Sequence, residues 1–132
     1  MNVRDMTLEQ MVTRWEDRRE IQNLMGRYTY ALLLKQEKEI YDTFWCQKAP
    51  EPCLGFNEGY YKGCEAVKGY YEALHRRNLL RTRLIMEDFP EQTQARTPEE
   101  LYGCGVLDHK PLGNQVIEIA EDGQTAKGFW YV

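Results

Sequence analysis

Gln115-Val116-Ile117-Glu118-Ile119-Ala120, then Glu121-Asp122-Gly123-Gln124, then Thr125-Ala126-Lys127-Gly128-Phe129-Trp130-Tyr131-Val132 is the stretch that decides the fold. Asp-Gly between two β-rich runs is a strong hairpin signal, because a type I′ turn requires positive φ at both central residues. A two-residue turn at Asp122-Gly123 sets Glu118 opposite Lys127, Val116 opposite Phe129 and Ile117 opposite Gly128. An opposite-charge pair and an apolar pair both favour that register. One face then carries Ile117, Ile119, Ala126, Trp130 and Val132 and is expected to be buried. The other carries Glu118, Lys127, Thr125 and Tyr131. Gly128 marks a point where the sheet bends or something approaches closely.

The rest of the chain bounds what this hairpin can belong to. Its 132 residues suit one domain, 1–132. With 42% hydrophobic and 12% aromatic residues it can fill a core, which argues against disorder. The net charge of −4 is spread over mixed signs, so nucleic acid and anionic membrane are poor partners. No apolar run approaches the roughly 18 residues of a membrane span. The opening Met-Asn-Val-Arg-Asp-Met-Thr has no apolar core of a signal peptide, which points to the cytoplasm. Cys46, Cys53, Cys64 and Cys104 lack zinc or redox spacing and read as inert reduced thiols. Cys46 and Cys53 flank a Pro-containing loop that would let them approach.

Upstream of the hairpin the pattern is helical. Thr7-Leu8-Glu9-Gln10 fits a capping box. Leu8, Met11, Val12 and Trp15 form one stripe, and Ile21, Leu24, Met25, Tyr28, Ala31 and Leu32 form another. The stripes are out of phase, which predicts a break or bend near Glu16-Asp17. Tyr28 to Leu34 is apolar on nearly every side and is expected to be buried on more than one side. Lys35-Gln36-Glu37-Lys38 reads as a polar joint before a short helix with Ile40, Tyr41, Phe44 and Trp45. Residues 46–58 read as loop, with a short strand pair at Phe56-Asn57-Glu58-Gly59-Tyr60-Tyr61-Lys62-Gly63. Glu65 to about Asn78 reads as a helix packed through Ala66, Val67, Tyr70, Tyr71 and Leu74. Leu79 to Phe89 fits either a continued helix or an extended segment. Thr97-Pro98-Glu99-Glu100 is a helix start that Leu101-Tyr102-Gly103 ends quickly.

Asp108-His109-Lys110-Pro111-Leu112, Val116-Ile117-Glu118 and Asp122-Gly123-x-Thr125-Ala126-Lys127-Gly128-x-Trp130 together resemble the SnoaL-like family of the nuclear transport factor 2-like superfamily. The likeness is specific over residues 107–132 and looser over 17–80. It implies an α+β domain in which N-terminal helices pack on a curved, mostly antiparallel sheet to form a cone around an apolar pocket. That cone is shared by polyketide cyclases, dehydratases and ketosteroid isomerase-like proteins. Tyr-Lys-Gly-Cys-Glu-Ala-Val at 61–67 resembles the family's strand-to-helix entry. Relatives continue with further strands past the position of Trp130-Tyr131-Val132. The expected cone is therefore abbreviated, part of a longer chain, or completed by another chain. An apolar strand left as an edge has to be covered or paired, so a homo-oligomer, dimer or trimer, is expected.

The resemblance also nominates site residues. A family histidine on this strand acts as acid or base in the pocket, and the match fits either His109 or Lys110 at that position. Neighbouring strand residues face opposite sides, so only one of the two can point inward. Histidine suits general base work near neutral pH; the alternative for His109 is a residue of the rim. Tyr28 matches a tyrosine of the first helix that would polarise a substrate oxygen, although its place on an apolar stripe equally fits core. Asp108 is the candidate orienting partner of His109. Leu33 stands where many relatives carry a helix aspartate, which weakens any mechanism based on a helix carboxylate. His75, beside Arg76-Arg77, reads as structural. No phosphate loop, dinucleotide fingerprint, nucleophile elbow or metal spacing is present, so any activity should need no cofactor or metal. Two functions follow as expectations. One is a cofactor-independent dehydratase, isomerase or cyclase acting on a small hydrophobic, cyclic or aromatic ligand through Tyr28, His109 and Asp108. The other is a non-catalytic binding or oligomerisation module on the same fold.

Overall fold

A computed structural model describes residues 5–56 and 59–132. In chain order it contains α1 (Leu8–Leu33), α2 (Glu37–Phe44), β1 (Cys53–Phe56), β2 (Gly59–Lys62), α3 (Cys64–Asp88), β3 (Gly113–Ile119) and β4 (Ala126–Tyr131). The class is α+β, with three helices and two antiparallel two-stranded sheets among the described residues, β1–β2 and β3–β4. Neither sheet closes into a barrel. The chain divides into two compact units: one runs up to Thr29 and from Lys110 to Val132, the other is Tyr30–His109.

In the first unit, α1 starts on the expected capping box. Thr7 N donates to Gln10 Oε1 at 2.9 Å and Gln10 N to Thr7 Oγ1 at 3.2 Å. No break occurs at Glu16-Asp17: α1 is continuous over 26 residues. Nothing there interrupts a helix, since no Pro or Gly intervenes and Arg, Glu and Asp continue it at small cost. The first apolar stripe stays open instead, with Leu8 and Trp15 each 75% exposed.

The hairpin has the expected register, Val116↔Phe129, Ile117↔Gly128, Glu118↔Lys127 and Ile119↔Ala126. Its turn is different. Gly123 N donates to Ala120 O at 3.0 Å and only Gly123 has positive φ, +70°. Glu121 and Asp122 therefore occupy the centre of a turn in which glycine follows in the left-handed region, as a type I turn prefers. The Asp122 carboxylate accepts from Gln124 N at 3.0 Å, a local bond that favours this alternative to the I′ geometry. At the other end Asn114 and Gln115 lie between the pairs Gly113↔Tyr131 and Val116↔Phe129, opposite the single residue Trp130, which makes a β-bulge. The buried face is narrower than the alternation implied. Ile117 is buried and Ile119 and Trp130 are half-buried, whereas Ala126 and Val132 are exposed. The Trp130 indole lies over Gly128, occupying the space a Cβ would need. That is the close approach for which the glycine is required.

In the second unit, α1 ends in a Schellman motif: Gln36 N donates to Ala31 O at 2.9 Å and Lys35 N to Leu32 O at 3.2 Å. Lys35 takes the left-handed position, φ 60°, where glycine is usual. Only Ala31 and Leu32 are buried at this helix end, while Tyr30 and Leu34 are exposed, so the apolar run is not enclosed on all sides. Ile40 and Tyr41 of α2 pack with Val67, Tyr70 and Tyr71 of α3, all buried. Trp45 Nε1 donates to Tyr71 OH at 3.0 Å, and the rings of Phe56 and Tyr61 close on Tyr70 at 5.2 and 5.0 Å. β1 and β2 pair from Cys53↔Lys62 to Phe56↔Gly59; their connection, Asn57-Glu58, lies outside the described residues. Leu79 to Asp88 continues α3 without interruption. Thr97 forms a second capping box with Glu100, at 2.7 and 3.2 Å. Only turns follow, because Gly103 and Gly105 both take φ +76° and leave the helical region. The four cysteines are free.

Candidate functional site

His109 is exposed in irregular chain before β3, and Lys110 beside it is half-buried. The half-buried Asp108 turns its carboxylate toward Lys35 Nζ, 4.0 Å away. Tyr28 is half-buried on α1, in the first unit, whereas Asp108 and His109 end the second.

A different cluster sits between α2, α3 and the turns at 97–105. Glu37, the first residue of α2, is 1% exposed. Its Oε1 accepts from Asn78 Nδ2 at 2.6 Å and its Oε2 from Tyr102 OH at 2.8 Å. His75 Nδ1 lies 3.8 Å from the same Oε2, and the His75 and Tyr102 rings are 4.6 Å apart. Thr82 Oγ1 donates to Asn78 O at 3.1 Å and accepts from Gly103 N at 3.3 Å. A buried carboxylate is tolerated only where donors surround it, and this one holds two short hydrogen bonds and a neighbouring imidazole. Burial, then the hydrogen bond to Glu37 and its charge, push the Tyr102 hydroxyl well above the usual tyrosine range. In and around this cluster His75 Nδ1, Asn78 Oδ1 and Lys35 Nζ are buried without a hydrogen bond. The Lys35 stem passes against Gly103, where an added Cβ would come within 2.6 Å of Lys35 Cγ.

Thr82 joins this cluster to a cavity of about 350 Å³. Its walls are Ile85, Met86 and Phe89 of α3, Gln92 and Thr93 after it, and Leu101, Cys104 and Gly105 of the turns. No charged side chain lines it. Thr93 Oγ1 is already committed to Phe89 O at 2.9 Å, which leaves the Gln92 amide as the polar group at the rim. The first unit has a larger groove of about 670 Å³ between α1 and the hairpin turn, lined by Asp17, Arg19, Glu20 and Arg27 among others. Its charged, mixed lining suits solvent better than an apolar guest. Tyr28 does not line the groove of its own unit, and His109 does not line the cavity of its own.

Sequence reasoning missed Glu37, Asn78, Thr82 and Tyr102, and dismissed His75. A signal was present. Glu37, Ile40, Tyr41 and Phe44 fall at i, i+3, i+4 and i+7, which puts Glu37 on the apolar face of α2. Tyr71, His75, Asn78 and Thr82 likewise follow one another at helical spacing on α3. Polar residues recurring inside a buried stripe of two successive helices are candidates for a shared buried network.

Comparison with known proteins adds no relative: no family model, no curated protein and no solved structure matches the chain. No described helix is long and apolar enough to cross a membrane.

Proposed function

We propose that this chain is a small-molecule-binding module whose guest is an uncharged, largely apolar cyclic or aromatic compound held in the cavity beside α3. The observation that carries the proposal is the lining of that cavity. Four large apolar side chains, Ile85, Met86, Phe89 and Leu101, surround about 350 Å³ with no charge among the walls. Binding sites for small molecules have this size and apolar character, with a few polar groups for orientation. The absence of charge in the walls disfavours a carboxylate or ammonium guest, whose desolvation would go uncompensated. The SnoaL-like resemblance of residues 107–132 supports the same class of ligand. The acid–base alternative, with Tyr28 polarising an oxygen and His109 moving a proton, draws less support. His109 is exposed, and the Asp108 carboxylate is directed at Lys35 rather than held for an imidazole.

The test is titration with the neutral fluorophore N-phenyl-1-naphthylamine. Wild type should bind it saturably, and Ile85→Trp, which places an indole in the cavity, should abolish binding while circular dichroism stays native. Leu101→Trp fills the cavity from the opposite wall and should do the same. Saturable binding that survives both substitutions refutes the assignment.

A further inference from the structure

We propose that occupancy of the α3 cavity is coupled to protonation of His75, through residues 97–105 acting as a latch; this rests on the ligand-binding reading above. The segment supplies Leu101, Cys104 and Gly105 to the cavity wall. It has turns and no regular secondary structure, and two of its residues, Gly103 and Gly105, take left-handed φ. A few contacts hold it against the helices. Tyr102 OH donates to Glu37 Oε2, Gly103 N donates to Thr82 Oγ1, and the Tyr102 ring rests on His75. The first and third involve the buried carboxylate and its neighbouring imidazole, and the second anchors on Thr82, which also lines the cavity.

His75 is where these contacts can change. As a neutral imidazole it leaves Nδ1 buried and unpaired at 3.8 Å from Glu37 Oε2. As an imidazolium it places a positive charge beside a carboxylate that is 1% exposed. The titratable groups facing this point are Glu37 from α2 and Tyr102 from the latch. Lys35, before α2, is directed at Asp108, and Glu72 and Arg76 of α3 pair with each other at 3.9 Å on exposed surface. Histidine is the side chain whose charge ordinarily changes between pH 5 and 8, while Glu and Tyr ordinarily titrate below and above that window. Acidification within it therefore adds, besides the attraction between α3 and α2, a cation–π attraction between the imidazolium and the Tyr102 ring 4.6 Å away, and this second attraction draws the latch onto α3. A wall held more firmly retains its guest longer. By reciprocity, the guest must in turn favour proton uptake at His75.

The experiment measures the Kd of N-phenyl-1-naphthylamine at about pH 7.5 and about pH 5.5, across the histidine window. Wild type should bind roughly two- to fivefold more tightly at the lower pH, the size expected of a cation–π contact that is still partly open to water. His75→Phe keeps a ring on Tyr102 and removes the titration, so its Kd should not change. The same latch is read without ligand by hydrogen exchange of the amides from Leu101 to Cys104, corrected for intrinsic rate. Protection should rise toward the lower pH in wild type and stay constant in His75→Phe. Failure of the probe to bind removes the ligand-binding reading and the coupling with it. Binding that Ile85→Trp abolishes, but that responds to pH alike in wild type and His75→Phe, overturns the coupling alone. So does exchange protection that is the same at both pH values.

Discussion

Replacing Tyr102 by Phe removes a single oxygen from the buried cluster and leaves the ring that packs on His75. The lost bond is the 2.8 Å donation to Glu37 Oε2. Hydrogen bonds to charged groups contribute about 1.5–3 kcal/mol, because loss of the donor leaves the charged partner desolvated and unpaired. Glu37 is almost completely buried, but Tyr102 is only half-buried, so water can partly replace its hydroxyl. The lower end, about 1.5 kcal/mol, is the expected loss of stability. With an unfolding slope of about 1.5 kcal/mol per molar urea, the midpoint should fall by about 1 M. Urea titration followed by far-UV circular dichroism measures this, with Tyr30→Phe as the control. Tyr30 is 66% exposed and its substitution should cost less than about 0.5 kcal/mol. The pH dependence has a definite sign. The hydroxyl of Tyr102 ionises less readily in the folded chain than in the unfolded one. Its contribution is therefore complete below about pH 10, the ordinary tyrosine value, and is lost as pH rises above it. The deficit of Tyr102→Phe relative to wild type should be full at about pH 8 and smaller at about pH 11. A deficit no larger than that of Tyr30→Phe at about pH 8 would show that Glu37 does not depend on this hydroxyl, and the cluster would lose its central contact.

Two further outcomes concern the hairpin. Glu118→Lys places like charges opposite each other and should cost about 0.2–1 kcal/mol, which Lys127→Glu in the same chain should restore; a double variant no more stable than the single one contradicts the Glu118↔Lys127 register. The outward face carries Val116, Phe129 and Tyr131, 53%, 66% and 76% exposed, so sedimentation at high micromolar concentration should show self-association that Phe129→Lys weakens, and a monomer at that concentration would speak against it.

Local patterns carried a good part of the fold. The capping boxes at Thr7 and Thr97 formed as the spacing of Thr with Gln10 and Glu100 demands, because each closes over four neighbouring residues and needs no tertiary partner. The hairpin register followed from cross-strand pairing around one turn. Even there the turn type escaped, since Asp122 satisfied the Gln124 amide from its side chain and made the mirror-image geometry unnecessary. The Thr97 start did not become a helix, because two glycines soon after it took left-handed conformations.

Sequence by itself determined where α1 begins, how β3 pairs with β4, and which residues of that hairpin alternate between faces. These depend on neighbours a few positions apart and on one turn. The tertiary structure decided which polar residues are buried. Glu37 reads as part of a polar joint, and His75 as a structural helix residue beside two arginines. They become a buried carboxylate and its neighbour only because Tyr102, 65 residues from Glu37, and Asn78, 41 residues from it, supply the donors. Burial of a charge is a property of the whole surrounding shell rather than of the residue. That shell was assembled from three segments whose encounter no local spacing encodes.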